Sequence, residues 1–206
     1  MDKWRYIWNF IHALAVKKHE EIIKVKNNLL AIALLVFVLS ACGPATNVGE
    51  IPPTFLPDMS GQSPAPSYLE INGKYQTAKV GSYCWNYVDE NNEPVDACSD
   101  SIGISTPIEP LPAEKTITAQ FFLPYATPPN RLSLVVFAAS SENEIPLEDG
   151  ADLRLWSYTE GINRELDLQP RQEVNIELEP GLYVFYVSAG WDDKGEVMYG
   201  FLVEVK

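Results

Sequence analysis

The sequence predicts an all-β fold, a sandwich of short antiparallel strands, and three observations carry that prediction. Past Cys42 no stretch sustains the 3.6-residue period of an amphipathic helix, whereas strict alternation recurs: Val174, Ile176 and Leu178 interleave with Glu173, Asn175, Glu177 and Glu179. Asn72-Gly73, set between two β-type runs, is the strongest short signal for a hairpin. Eight or nine such runs are separated by Gly, Pro and Asn rather than by helical spacers, which favours a sandwich over a βαβ architecture.

In chain order, Tyr68–Ile71 and Lys74–Val80 flank the Asn72-Gly73 turn, and the aromatic-rich Ser82–Val88 follows. Residues 89–100, Asp-Glu-Asn-Asn-Glu-Pro-Val-Asp-Ala-Cys-Ser-Asp, read as an acidic turn, and Pro107, Pro110 and Pro112 as an irregular connection. Thr116–Phe122 alternates Ile117, Ala119 and Phe121 against Thr116, Thr118 and Gln120. Leu132–Ala138 is nearly all apolar, as in a central strand or one covered on both faces. Asp152–Tyr158 points Leu153 and Leu155 inward, and Leu182–Ser188 with Val197–Val205 forms a closing hairpin around Asp192-Asp193-Lys194-Gly195.

The segment ahead of this domain has a different character. Leu29 to Ala41 is 13 apolar or small residues, short of the ~20 a membrane span needs but within the ~7–15 of a secretory signal core. It ends in Leu39-Ser40-Ala41-Cys42, which resembles the lipobox of bacterial lipoproteins. The resemblance implies cleavage before Cys42, a diacylglycerol thioether on its sulfur, and a membrane anchor on the extracytoplasmic face of the cell membrane or outer membrane. Gly43 rather than Asp implies, by the same family's sorting pattern, that a two-membrane cell would not retain it in the inner membrane. The competing reading is a buried helix with a chance cysteine, which the polar, Pro-rich continuation opposes.

Residues 1–28 are long for a signal n-region, and Val25-Lys26-Asn27-Asn28 would make an ordinary one if Val25 were the initiator. The alternative is a basic amphipathic helix on the inner membrane face. Either way residues 1–41 stay outside the fold. Residues 42–67, with six prolines after the cysteine, read as a disordered tether, and 68–206 as the domain.

The charge divides at the same place. Residues 1–41 hold six Lys/Arg and three Asp/Glu; the 165 from Cys42 on hold nine against 25, a net of −16. Such a surface repels phosphate backbones, which argues against nucleic acid as a partner. Both histidines, His12 and His19, precede Cys42. The mature chain therefore lacks Ser-His-Asp and Cys-His catalysis and His-liganded zinc. With Cys42 lipidated, Cys84 and Cys98 remain as an extracytoplasmic pair; a bond between them closes about 15 residues and contributes ~3 kcal/mol in the chain-entropy picture.

The stretch Leu178-Glu179-Pro180-Gly181-Leu182-Tyr183-Val184-Phe185 resembles the turn and penultimate strand of immunoglobulin-like sandwiches. The resemblance implies a tyrosine corner at Tyr183, its hydroxyl bonded to nearby backbone. Phe185 stands where antibody domains carry their second core cysteine, and the Cys84–Cys98 spacing is too short for their inter-sheet bridge. An immunoglobulin-like β-sandwich outside the antibody family is thus the expected architecture.

Three groups of residues are candidates for chemistry. Asp89, Asn91, Glu93 and Asp96 offer oxygen ligands to Ca²⁺, although Pro94 interrupts them and the EF-hand order is missing; the alternative is a solvated hairpin loop. Tyr83, Trp85 and Tyr87 share one strand face, either as an exposed platform or as core beside the disulfide. Trp156 and Trp191 read as core or sheet-edge residues, with Trp191, just after a strand, the foremost of the five tryptophans for an exposed contact and Trp85 behind it. Acids are too many to single out a hydrolytic pair. The expected function is a lipid-anchored binding or structural module of the bacterial cell envelope whose partner is a protein or an envelope glycan. The alternatives are a ligand-binding subunit, Ca-dependent if the acidic loop binds metal, and a His-free hydrolase using carboxylates.

Overall fold

The computed structural model describes residues 48–49 and 59–206, all within one compact unit, Thr46–Lys206. The signal-like run, Cys42 and most of the Pro-rich segment lie outside the described residues. Among the described residues no helix is long and apolar enough to cross a membrane, and every regular element is a strand. In chain order these are β1 (Val48–Gly49), β2 (Tyr68–Ile71), β3 (Lys74–Thr77), β4 (Lys79–Val88), β5 (Pro94–Ser99), β6 (Ile104–Thr106), β7 (Leu111–Ala113) and β8 (Thr116–Phe122). There follow β9 (Arg131–Ala138), β10 (Glu144–Ile145), β11 (Arg154–Trp156), β12 (Ile162–Glu165), β13 (Arg171–Glu177), β14 (Gly181–Trp191) and β15 (Gly195–Val205).

Two sheets form the sandwich. One has five strands in the order β1-β3-β2-β8-β13; the other has seven, β12-β9-β14-β15-β4-β5 with β7 parallel to the end of β15. Alternation places their inner residues face to face. Leu69, Ile71, Ile117, Ala119 and Phe121 of the first meet Val136, Phe185, Val187, Phe201 and Val203 of the second. Phe121 spans the gap, its ring centroid 6.4 Å from Phe185 and 5.9 Å from Phe201. Each of these side chains larger than Ala119, removed from water, contributes about 1.5–3 kcal/mol. Arg164 closes one side: its Nη1 on β12 donates to the Asn175 carbonyl on β13 at 3.0 Å, joining the edges of the two sheets.

A third, smaller sheet, β10-β11-β6, covers part of the outer face of the seven-stranded sheet. Ile104 and Trp156 from it pack with Val135, Phe137, Val184 and Leu202. This explains the unbroken apolar run of β9: Leu134 and Val136 face the sandwich core, Val135 and Phe137 the second one. Gly200 makes the overlay possible, since a Cβ there would sit 2.0 Å from the Ser105 carbonyl oxygen.

The Asn72-Gly73 hairpin forms as expected, with φ of 53° and 75°, the left-handed pair of a type I′ turn. Tyr183 makes the corner bond, its hydroxyl donating to the Glu179 carbonyl at 2.9 Å. Elsewhere the structure corrects the expected elements. Lys74–Val80 is not one strand: the chain leaves the five-stranded sheet at buried Ala78, whose amide donates to the Ser67 carbonyl at 2.9 Å, and joins the seven-stranded sheet as β4. That strand runs on through the expected Ser82–Val88. Half of the acidic turn is strand β5, where Pro94 is tolerated on a sheet edge. The expected irregular connection around Pro107, Pro110 and Pro112 follows β6 and runs into β7.

The expected tether also yields. Val48–Gly49 pairs antiparallel with β3, and residues 59–67 belong to the domain. Met59, Pro64 and Ser67 are buried, and side chains distant in sequence hold the segment. Trp85 Nε1 donates to the Gly61 carbonyl (2.9 Å), the Ala65 amide to the Tyr125 hydroxyl (2.8 Å), and the Tyr199 hydroxyl to the Ala65 carbonyl (3.0 Å).

Candidate functional site

The residues picked out by sequence fall in three different places. Trp85 and Trp191 read as core or sheet-edge residues, with an exposed contact as the alternative; both are interior, at 0 % and 1 % exposure, and the contact alternative falls. They form a cluster with Tyr125: Trp85 stacks on Tyr125 with centroids 5.6 Å apart, and Trp191 meets each edge-on at 6.0 and 5.5 Å. Trp191 Nε1 donates to the Thr127 carbonyl at 3.1 Å. Both indoles therefore have protein partners at every side, and neither presents a face to a ligand. Tyr83 and Tyr87 share their strand face with Trp85 and are half-buried.

Cys84 and Cys98 are bonded. They oppose each other on β4 and β5 with Cα atoms 4.1 Å apart, the close approach of a non-hydrogen-bonded antiparallel pair. The bond lies on the outer face of this edge hairpin, so it braces the hairpin rather than bridging the two sheets.

Asp89, Asn91, Glu93 and Asp96 do not converge. Asp89 spends its carboxylate on the turn, accepting from the Asn91 and Glu93 amides at 2.8 Å each and from Asn91 Nδ2 at 3.2 Å. The Glu93 amide bond first, opposed by desolvation and joined by the bonds from Asn91, holds its pKa below the usual carboxylate range. Asp96 points out from β5, opposite Asn86. Among the described residues no group of three or more His, Cys, Asp or Glu could hold a metal ion. The acidic loop is an Asx-type turn, in line with the solvated hairpin loop rather than the calcium alternative.

What the fold builds instead is a trough on the outer face of the seven-stranded sheet, where the small sheet leaves it uncovered. Its floor follows from alternation: wherever Phe185, Val187, Val197 and Tyr199 point into the core, Tyr186, Ser188, Glu196 and Met198 point out. Three depressions run into one another. The first, ≈ 210 Å³, lies against β6 and is lined by Ser82, Ser101, Ser105, Tyr158, Tyr186 and Met198. The second, ≈ 320 Å³, shares Ser82 and Met198 with it and passes over Cys84–Cys98 to Asp100. The third, ≈ 490 Å³, shares Glu196 with the second and reaches Arg131, Ser133, Ser188, Glu165 and Leu168.

The polar groups along the trough are mostly oriented by neighbours. Glu196 Oε1 accepts from Ser188 Oγ at 2.6 Å, and its Oε2 is 3.9 Å from Arg131 Nη1. Arg131 reaches across Gly190, where a Cβ would lie 3.1 Å from its Nε. Ser82 Oγ donates to Asp100 Oδ1 at 3.1 Å and accepts from the Ser101 amide at 2.9 Å. Glu165, Glu196 and Asp100 outnumber the single cation, Arg131, so the trough is acidic like the rest of the domain.

Tyr186 is the titratable group the trough perturbs most. Burial first, then the Glu196 carboxylate and the Tyr158 phenol, push its pKa up to about 12. Burial also raises Tyr125, and Tyr199 further. In the unfolded chain these phenols ionise near ~10. Stability is thus fully present below pH ~10 and falls as pH rises through the folded values, because above that point the unfolded chain holds fewer protons. Urea unfolding at stepped alkaline pH should show the decline, and Tyr186→Phe should reduce its slope.

Sequence reasoning passed over Tyr158, Tyr186, Ser82, Ser105, Met198 and Glu196. One signal for them was present: Gly81 and Gly200, glycines inside strands, mark close backbone approach or open space. No protein-family model, no curated protein and no solved structure matches this chain.

Proposed function

We propose that the protein is a lipid-anchored binding module of the bacterial cell envelope, carried on Cys42 and presenting the trough of its seven-stranded sheet to an envelope glycan or protein. The observation that carries the binding role is the trough itself, a walled surface of oriented hydroxyls and carboxylates on a sheet whose other face is core. The lipobox-like Leu39-Ser40-Ala41-Cys42 supports the address. The excess of 25 acids over nine bases beyond residue 41 favours neutral or basic partners.

The test has two readouts on the full chain. Cells grown with an alkyne fatty acid should label the wild type and not Cys42→Ala; an unlabelled wild type would remove the anchor. Purified protein should co-sediment with isolated envelopes, and Ser133→Trp, which places an indole in the trough, should lose most of the bound fraction. Equal sedimentation of the two would remove the trough as the binding face.

A further inference from the structure

The innermost depression of the trough differs from the other two in its chemistry. At ≈ 210 Å³ it is smaller than the ~300–1,000 Å³ of sites for drug-sized ligands, which limits an occupant to about one ring. It sits where β6 crosses the outer face of the large sheet, between the segment Ser101–Ser105 and the Gly81, Met198 and Gly200 floor. Its lining carries no Lys, Arg, Asp or Glu. Five of the lining residues carry hydroxyls: Ser82, Ser101, Ser105, Tyr158 and Tyr186.

Those hydroxyls are not equivalent. Ser82 and Ser101 are held in place, Ser101 Oγ donating to the Gly103 carbonyl at 2.7 Å. Ser105 is only 6 % exposed, yet its hydroxyl has no protein hydrogen bond among the described residues and is still open to solvent. Tyr186, half-buried, likewise has no hydrogen-bond partner for its hydroxyl among the described residues. Tyr158 stands at the mouth, 59 % exposed, its ring propped edge-on against buried Phe137 at 5.8 Å and 65°. An exposed ring resting edge-on against a buried one, on a cleft lined by two unpartnered hydroxyls, offers an apolar face and polar groups in one place.

We propose, as a refinement of the envelope-binding reading on which it rests, that this cleft takes one neutral sugar ring. The C–H face of the ring would pack on Tyr158, and its hydroxyls would pair with Ser105 and Tyr186. A purely apolar ring would bury both protein hydroxyls without partners, which is costly. An anion finds no cation in the lining and meets a chain of net −16 from Cys42 on. A polyol with an apolar face satisfies both constraints, and glycan chains could continue over Met198 and the disulfide into the rest of the trough.

The experiment is saturation-transfer NMR on the full chain with glucose, galactose, mannose and N-acetylglucosamine as separate probes, and with amide shifts mapped on the wild type. At least one probe should bind saturably and move the Ser105 and Tyr186 amides. Tyr158→Ala removes an exposed ring, and Gly81→Leu fills the floor from a Cβ in ordinary contact with Met198 (3.7 Å). Each should weaken binding by roughly tenfold or more, about 1.4 kcal/mol, with the melting temperature unchanged. Absence of saturable binding to all four probes would overturn the proposal, as would shifts confined to another face or affinities unchanged in both variants. Envelope co-sedimentation that survives Tyr158→Ala and Gly81→Leu but not Ser133→Trp would sink the sugar cleft while leaving the trough as the binding face.

Discussion

Gly200→Ala should lift the three-stranded sheet off the sandwich and leave the sandwich itself folded. The added Cβ would lie 2.0 Å from the Ser105 carbonyl oxygen, 3.0 Å from its carbon and 3.2 Å from Ile104 Cγ2. Two of these atoms are backbone, so no rotamer change relieves the contact; β6 must move outward by about 1 Å or more to restore van der Waals separation. That movement is not free. Ile104 and Trp156 lie in the second core with Val135, Phe137, Val184 and Leu202, and Trp156 Nε1 donates to Thr106 Oγ1 at 2.8 Å. Overpacking against backbone together with loosening of this small core should cost about 3–5 kcal/mol locally. Hydrogen exchange reads it directly: amides of Ile104–Thr106 and Arg154–Trp156 lose protection, while those of β8 and β13 keep theirs. Unchanged protection at β6 would mean that the small sheet does not depend on this approach. Since Gly103, Ile104 and Ser105 wall the cleft, the same variant should also lose any ligand that the cleft holds.

What could be read from sequence, and what could not, follows the range of the interactions involved. The β13 strand was legible because its alternation is a local fact: Val174 and Ile176 are buried, and Glu173, Asn175 and Glu177 exposed. The Asn72-Gly73 turn was legible because only a few residue pairs adopt two left-handed conformations in succession. The double apolar face of β9 was legible too, although not the identity of its second cover. The switch of sheets at Ala78 was not, since Lys74 to Val80 reads as one run and the break is made by a bond to Ser67. Strands such as β10 and β7 are two and three residues long and carry no period. Residues 59–67 escape a sequence reading for the same reason. Their composition is that of a linker, and what orders them comes from Trp85, Tyr125 and Tyr199, 24 to 134 residues away. That segment meets the Trp85 indole through Gly61, and with Trp85 and Trp191 both interior neither is open to an exposed contact.

Trp85→Ala should be the most damaging single truncation in the sandwich core. The indole is fully buried, stacks on Tyr125 at an interplanar angle of 20°, and meets the Trp191 ring nearly perpendicular at 82°. Truncating a large buried aromatic costs about 3–5 kcal/mol through lost transfer energy and the cavity left behind. Aromatic pairing adds roughly 0.5–1.5 kcal/mol per pair. It also removes the donor to the Gly61 carbonyl, one of the three bonds that hold residues 59–67. Against a total of about 5–15 kcal/mol for a domain of this kind, that is a third of the stability or more. The disulfide will not compensate, because it braces β4 to β5 and acts on the unfolded chain equally in both proteins. Trp85→Phe separates the contributions. It retains much of the packing and loses the Gly61 bond, so it should cost about 1–3 kcal/mol. Urea unfolding of the two variants gives the ranking, and limited proteolysis gives the mechanism. Cleavage near Gly61 should become fast in Trp85→Ala while the rest of the domain resists. A cost below about 1 kcal/mol for the alanine variant, the value for an exposed side chain, would return Trp85 to the surface and reopen the contact role that its burial excludes.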